Sequence, residues 1–169
     1  VDALIHAMEA YVSNFASPFS DAMAEKAMEL IGGNLRRFVA NRKDEEAACA
    51  MMVGSTFAGM AFAWAKLGNV HAMSHPVSAY FHVPHGVANA IILPTGMEYN
   101  APATGEKYRD IAKAMGVEGT EKMTQDEYRK AAIDAVKKLA ADVGIPADLK
   151  DIVKPEDIPF LAQSAYDDA

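Results

Sequence analysis

The amino-acid sequence predicts an all-α helical bundle, and three observations carry that expectation. Apolar residues recur at helical spacing along nearly the whole chain, as at Ala3, Leu4, Ala7, Met8 and Tyr11 near its start. Start and stop signals punctuate the pattern, among them Ser17-Pro18, Asp44, Thr124 with Glu127, and Gly144 with Pro146. No stretch alternates apolar and polar residues long enough to make a convincing strand.

The elements follow in order. Ser17 suits an N-cap and Pro18 the first turn, where a missing N–H costs nothing. The helix they open runs toward Val39 through Ala22, Ala27, Leu30 and Ile31, with Gly32-Gly33 inside it or near its end. A polar break at Asn41 to Asp44 precedes Glu45 and Glu46, anions that favour the positive end of a new helix dipole. That helix runs to about Leu67, where Gly68-Asn69 interrupts or ends it. Its Ala47–Ala65 stretch carries no charge and is long enough to cross a bilayer, but it holds few large hydrophobes (Val53, Phe57, Phe62, Trp64). The expectation is instead the central helix of a soluble bundle, with Gly54, Ala58 and Gly59 admitting close neighbours. On that reading Cys49 is a buried small hydrophobe and Trp64 a core or interface aromatic. Met51, Met52, Met60 and Met73 fill core gaps. Glu106 to Met115 reads as a short helix stopped by Gly116. Thr124 to Glu127 has the form of a capping box before a helix through Ala131, Ala135, Leu139 and Val143. A last helix spans about Glu156 to Asp168, with the acidic pair Asp167-Asp168 and the charges of 142–157 read as solvated surface.

A chain of 169 residues without an internal repeat or a Gly/Ser-rich linker reads as one domain, 1–169. Its net charge of −7 leaves no basic stripe for phosphates, which argues against nucleic acid as a partner. The single Cys49 excludes an internal disulfide framework and points to a reducing, cytoplasmic setting. Val1 opens directly on an amphipathic pattern with no visible secretory leader, so the expectation is a cut through a longer protein.

Four of the five histidines, His71, His75, His82 and His85, lie close together. The fifth, His6, stands four residues after Asp2, a spacing that returns to nearly the same helix face about 6 Å further along. His71 and His75 share that spacing, and Pro76 and Pro84 are expected to bend the chain before His85. Such pairs are often only surface ion pairs or hydrogen-bonded residues. Here, an apolar helix precedes His71 and an apolar run follows His85, so the imidazoles should face a core. Buried imidazoles need partners, and a shared divalent metal would satisfy several at once.

The segment from Gly68 to Ala90, with His71, His75 and Pro84-His85-Gly86, resembles the signature of the iron-containing (group III) alcohol dehydrogenases. Asp2 to Ser13 resembles that family's earlier ligand segment, and the likeness continues through Pro94, Asn100 and Ile158 to Ala162. It points to the lactaldehyde reductase and 1,3-propanediol dehydrogenase types. The resemblance implies the family's C-terminal, dehydroquinate synthase-like α domain, with Asp2, His6, His71 and His85 binding one divalent metal. It makes His75 the catalytic or proton-relaying histidine near the reacting carbon, and gives His82 no role. Val77-Ser78 departs from the usual Leu-Gly. The implied metal is Fe²⁺, with Zn²⁺ as a substitute by intrinsic affinity. The implied reaction interconverts primary alcohols or diols and aldehydes, the metal polarising the substrate oxygen and NAD(H) or NADP(H) carrying hydride. The coenzyme is expected mainly on an N-terminal dinucleotide-binding domain outside this chain. Gly32-Gly33 and Gly54 with Gly59 sit in helical pattern and make no phosphate cradle. The chain alone is therefore expected to be inactive and to self-associate through an uncovered apolar face, with no membrane partner. The alternatives are a glycerol dehydrogenase-like zinc domain and a non-catalytic helical metal-binding module.

Overall fold

In the computed structural model, residues 1–168 are described, and Ala169, the last residue of the expected domain, lies outside them. The elements are α1 (Asp2–Val12), α2 (Pro18–Ala40), α3 (Glu45–Ala65), α4 (Asn69–Phe81), α5 (His85–Asn100), α6 (Lys107–Ala114), α7 (Gln125–Asp142) and α8 (Ile158–Asp167). Short 3-10 turns at Ala101–Ala103, Thr120–Lys122 and Pro155–Asp157 join them, and no strand occurs among the described residues.

Local chemistry sets most boundaries. Ser17 Oγ accepts the Ser20 N–H at 3.2 Å while Ser20 Oγ accepts the Ser17 N–H at 2.8 Å, a reciprocal cap that starts α2. Asp44 accepts from the Ala47 N–H at 3.0 Å and starts α3. The Thr124 capping box starts α7, and Gly116 and Gly144, at φ +86° and +80°, take the left-handed turns that follow α6 and α7. Helix α2 passes through Gly32-Gly33 unbroken. A Cβ on Gly32 would lie 2.6 Å from the Ala114 carbonyl oxygen, so the residue is glycine because the end of α6 crosses there. Helix α3 stops at Ala65, short of the expected Leu67, where Lys66 takes φ +64° and Ser13 Oγ donates to the freed Ala65 carbonyl.

The helix at the centre is α1, which packs on α2, α3, α5 and α6 and buries Leu4, Ile5, Ala7, Met8, Ala10 and Tyr11. At its C-terminal end the Tyr11 hydroxyl is shared between Glu25 (2.7 Å) and Asp110 (2.8 Å), tying α1 to α2 and α6. Helix α3 does not hold the central place expected of it. It buries only Ala47, Gly54, Ala58, Ala61 and Ala65, a seam of small residues at helical spacing. The seam lets α3 sit close on its neighbours, and a Cβ on Gly54 would lie 2.7 Å from Ile31. The opposite face is bare: Met52 is 71% exposed, Trp64 69% and Met60 45%, and Cys49 is exposed rather than buried. Met51 packs against the core from its edge, while Met73 is half-buried. By length and composition α3 is apolar enough to cross a membrane.

Helices α4 and α5 form a hairpin beside α1. Helix α4 continues through the buried Pro76 ring to Phe81, so the bend expected before His85 comes after that proline. The reversal falls at His82, left-handed at φ +55°, and Pro84 leads into α5. Helix α8 begins at Ile158 after the 3-10 turn and packs on α4, where Val77, Val83, Ala88 and Leu161 form a second, smaller core.

Candidate metal centre

Three helix starts converge on one small volume. The first turns of α1 bring Asp2 and His6 to one face, with His6 Nδ1 3.7 Å from Asp2 Oδ2. The first turn of α4 brings His71, whose ring stacks on that of His6 at 4.5 Å and whose Nε2 lies 3.8 Å from Asp2 Oδ1. Phe62 covers the His6 ring at 4.6 Å. One donor atom each from Asp2, His6 and His71 lies within 4.8 Å of the others.

His85 opens α5 and comes within 3.8 Å of Asp2 Oδ1 through Nε2, without joining that group of three. Asn89, one turn on, has its Nδ2 2.7 Å from Asp2 Oδ1, to which it donates, and 3.0 Å from His85 Nε2. The Asn89 amide thus bridges the two. Gly86 permits the approach, since a Cβ there would lie 3.2 Å from Asp2 Cβ. Ser78, which departs from the family's usual residue, places its hydroxyl 3.5 Å from His85 Nδ1.

Burial grades the site. His71 is 1% exposed, while Asp2, His6 and His85 are partly open. Burial holds the His6 imidazole below its ordinary pKa, opposed by Asp2 and reinforced by His71 and His85. His85 is lowered in the same way, first by burial. Both shifts favour neutral imidazole, the form that lends a nitrogen lone pair to a metal. The decisive test of fit is His71 Nε2, which is buried without a hydrogen-bond partner. Such an atom is costly to leave alone. An orphaned ring nitrogen beside a carboxylate oxygen and a second imidazole is a donor set that first-row divalent ions accept. The residues fit the group.

Two residues that contact the site escape sequence reasoning. Glu9 is 4% exposed and meets His71 Nδ1 at 2.5 Å from 62 positions away, a separation no local spacing reports. Asn89 stands at i+4 from His85, the same one-turn spacing that marks Asp2 and His6, so a signal for it existed.

His75 lies one turn beyond His71 but does not face the core. Its side chain is 46% exposed, its ring stacks on His85 at 5.4 Å, and its Nδ1 lies 2.5 Å from Asp168 Oδ2. Asp168 is solvent-exposed, as expected, and is also the partner of His75. Both line a largely apolar cleft of about 780 Å³ with His71, Lys66, Tyr99 and Tyr166. His82 is exposed and touches none of these residues.

Comparison with known proteins bears on all of this. Residues 1–169 match the C-terminal model of the Fe-containing alcohol dehydrogenase family. The chain is 53% identical over 169 residues to lactaldehyde reductase of Escherichia coli (strain K12), covering 99% of the chain and 44% of that protein. It is 46% identical to 1,3-propanediol dehydrogenase of Citrobacter freundii, over 99% of the chain and 43% of the relative. Among solved structures, a 1,3-propanediol oxidoreductase superposes with a TM-score of 0.95 at 44% identity, over 98% of this chain and 44% of that one. The alcohol dehydrogenase from Oenococcus oeni superposes with a TM-score of 0.96 at 40% identity, over 99% and 44%. The chain spans less than half the length of these relatives.

Proposed function

The chain belongs to the iron-containing alcohol dehydrogenase family, in its C-terminal part, and from that premise we propose that it is the metal-holding catalytic portion of an enzyme interconverting primary alcohols or diols with aldehydes. The observation that carries this reading is the meeting of Asp2, His6 and His71 around a buried, unpartnered ring nitrogen. In the proposal Asp2, His6, His71 and His85 hold one divalent ion, Fe²⁺ by family and Zn²⁺ by intrinsic affinity. When bound, the ion supplies Lewis-acid polarisation of the substrate oxygen.

The remaining work falls to the chain's own residues. Phe62 and the buried His71 ring keep water from one side of the site. The apolar cleft beside His71 and His75 takes a short carbon chain and the nicotinamide end of a coenzyme. His75, oriented through Nδ1 by Asp168, leaves Nε2 to move the alcohol proton toward solvent. No strand with a glycine-rich turn occurs among the described residues, which supports placing the rest of NAD(H) or NADP(H) on a stretch of the enzyme this chain does not match. Turnover then requires that stretch. The same reading makes the enzyme a cytoplasmic homo-oligomer with no nucleic-acid or membrane partner; the acidic charge supports the absence of nucleic acid, and the bare face of α3 supports self-association.

The test is metal occupancy with ligand identity. One equivalent of Fe²⁺ or Zn²⁺, with a nitrogen-rich shell in X-ray absorption that is lost in His71→Ala, supports the reading. Less than one equivalent after reconstitution, or steady coenzyme-linked oxidation of propanediol by this chain alone, counts against it. A zinc form with fewer histidines is the second reading, favoured by the place of His85 outside the group of three. It predicts that His85→Ala leaves metal affinity unchanged.

A further inference from the structure

We propose that Glu9 is the positioning residue of the metal centre: it holds the His71 ring with its hydrogen on Nδ1, so that Nε2 turns a lone pair toward Asp2. The inference rests on the metal reading for its purpose, though not for its geometry. Glu9 lies one turn after His6 on α1 and is 4% exposed. Among the described residues, every hydrogen-bonding partner of its carboxylate belongs to the first turn of α4. Oε1 accepts the Val70 N–H at 2.7 Å, and Oε2 accepts the His71 N–H at 3.4 Å and faces His71 Nδ1 at 2.5 Å.

Backbone N–H groups can only donate, so both oxygens act as acceptors toward α4, and the proposal gives Oε2 the same role toward Nδ1, with the hydrogen between them on the ring. A neutral imidazole has one N–H, and with it on Nδ1 the nitrogen left bare is Nε2. That is the buried atom without a partner, 3.8 Å from Asp2 Oδ1. The same carboxylate caps α4. Gly68, the N-cap of α4, has no side chain to satisfy the helix's first N–H groups, and Glu9 does so from α1. A Cβ on Gly68 would lie 2.8 Å from Glu9 Oε1, so a side chain there would push this carboxylate from its place. One side chain thereby sets both where α4 begins and how its ligand is turned. Carboxylates behind metal-binding histidines fix ring orientation in this way.

The experiment compares wild type, E9Q and E9D by imidazole ¹⁵N NMR without metal and by Zn²⁺ titration against a chelator. Wild type should show His71 with its hydrogen on Nδ1. E9Q keeps the shape and one acceptor oxygen but can set an N–H₂ against Nδ1, moving the ring hydrogen to Nε2 and weakening Zn²⁺ by about 10- to 100-fold. E9D, with its acceptors restored, should return the hydrogen to Nδ1. Wild-type His71 bearing its hydrogen on Nε2 overturns the proposal whether or not E9Q folds, as does E9Q with unchanged tautomer and affinity. A wild-type chain that takes up no Zn²⁺, yet keeps the Nδ1 hydrogen and loses it in E9Q, supports the positioning by Glu9 and sinks the metal reading instead.

Discussion

Two histidines one turn apart on α4 each meet a carboxylate oxygen at 2.5 Å, and the two contacts differ in almost everything else. His71 and Glu9 are 1% and 4% exposed, whereas His75 and Asp168 are 46% and 43% exposed. Water competes for neither partner of the first pair, so the contact dictates ring orientation, and losing one member strands the other. The second pair exchanges freely with solvent and is worth at most about 1 kcal/mol. The lesson is that equal geometry does not mean equal authority. The His71 ring is locked in the core, and the His75 ring is loosely tethered at the rim of a cleft.

The largest test of that contrast is stability. Glu9→Ala should destabilise the fold by about 3 kcal/mol, because it leaves a buried imidazole and two helix N–H groups without acceptors. Asp168→Ala should change stability by less than about 1 kcal/mol. Denaturant titration measures both, and comparable losses would show that burial is not what separates the pairs.

A smaller effect is expected on acidification. The imidazoles of His6 and His85 lie below their ordinary pKa in the folded chain, so the unfolded chain binds more protons as pH falls. Their contribution is therefore complete above about pH 6.5 and declines below it. Thermal midpoints of the metal-free chain should fall between pH 7.5 and pH 5.5. A flat profile would remove the claim that the centre is held in its neutral, ligand-ready form.

The smallest effect concerns salt. Raising ionic strength to about 1 M, where the Debye length is about 3 Å, should disturb the ¹⁵N shifts of the exposed His75 and leave those of His71 in place. Equal responses would erase the distinction between the pairs.

What the sequence reveals of this molecule follows the range over which each signal acts. The cap at Ser17, the box at Thr124 and the stop at Gly144 are local, and each lands where the pattern puts it. Asp2 and His6 are legible for the same reason, one turn apart on one helix. Gly32 is not, because its cause is the Ala114 carbonyl on another helix. Helix α3 misleads because a charge-free run reports composition and not direction. Its small residues form the buried seam, while Trp64 and Met52 lie outside. Glu9 reads locally as one acid on an apolar helix, and only the docking of α4 reveals it as a support for His71.

That α1 carries two donors and α4 a third has a consequence for the birth of the protein. Asp2 and His6 emerge from the ribosome well before His71 is made. Until α4 closes onto α1, these two residues offer an ion one carboxylate and one ring, a weaker grip than the three donors give together. On the proposed reading, capture waits for compaction, so choice of ion is made by a finished cage rather than by the first cation to drift past a growing chain.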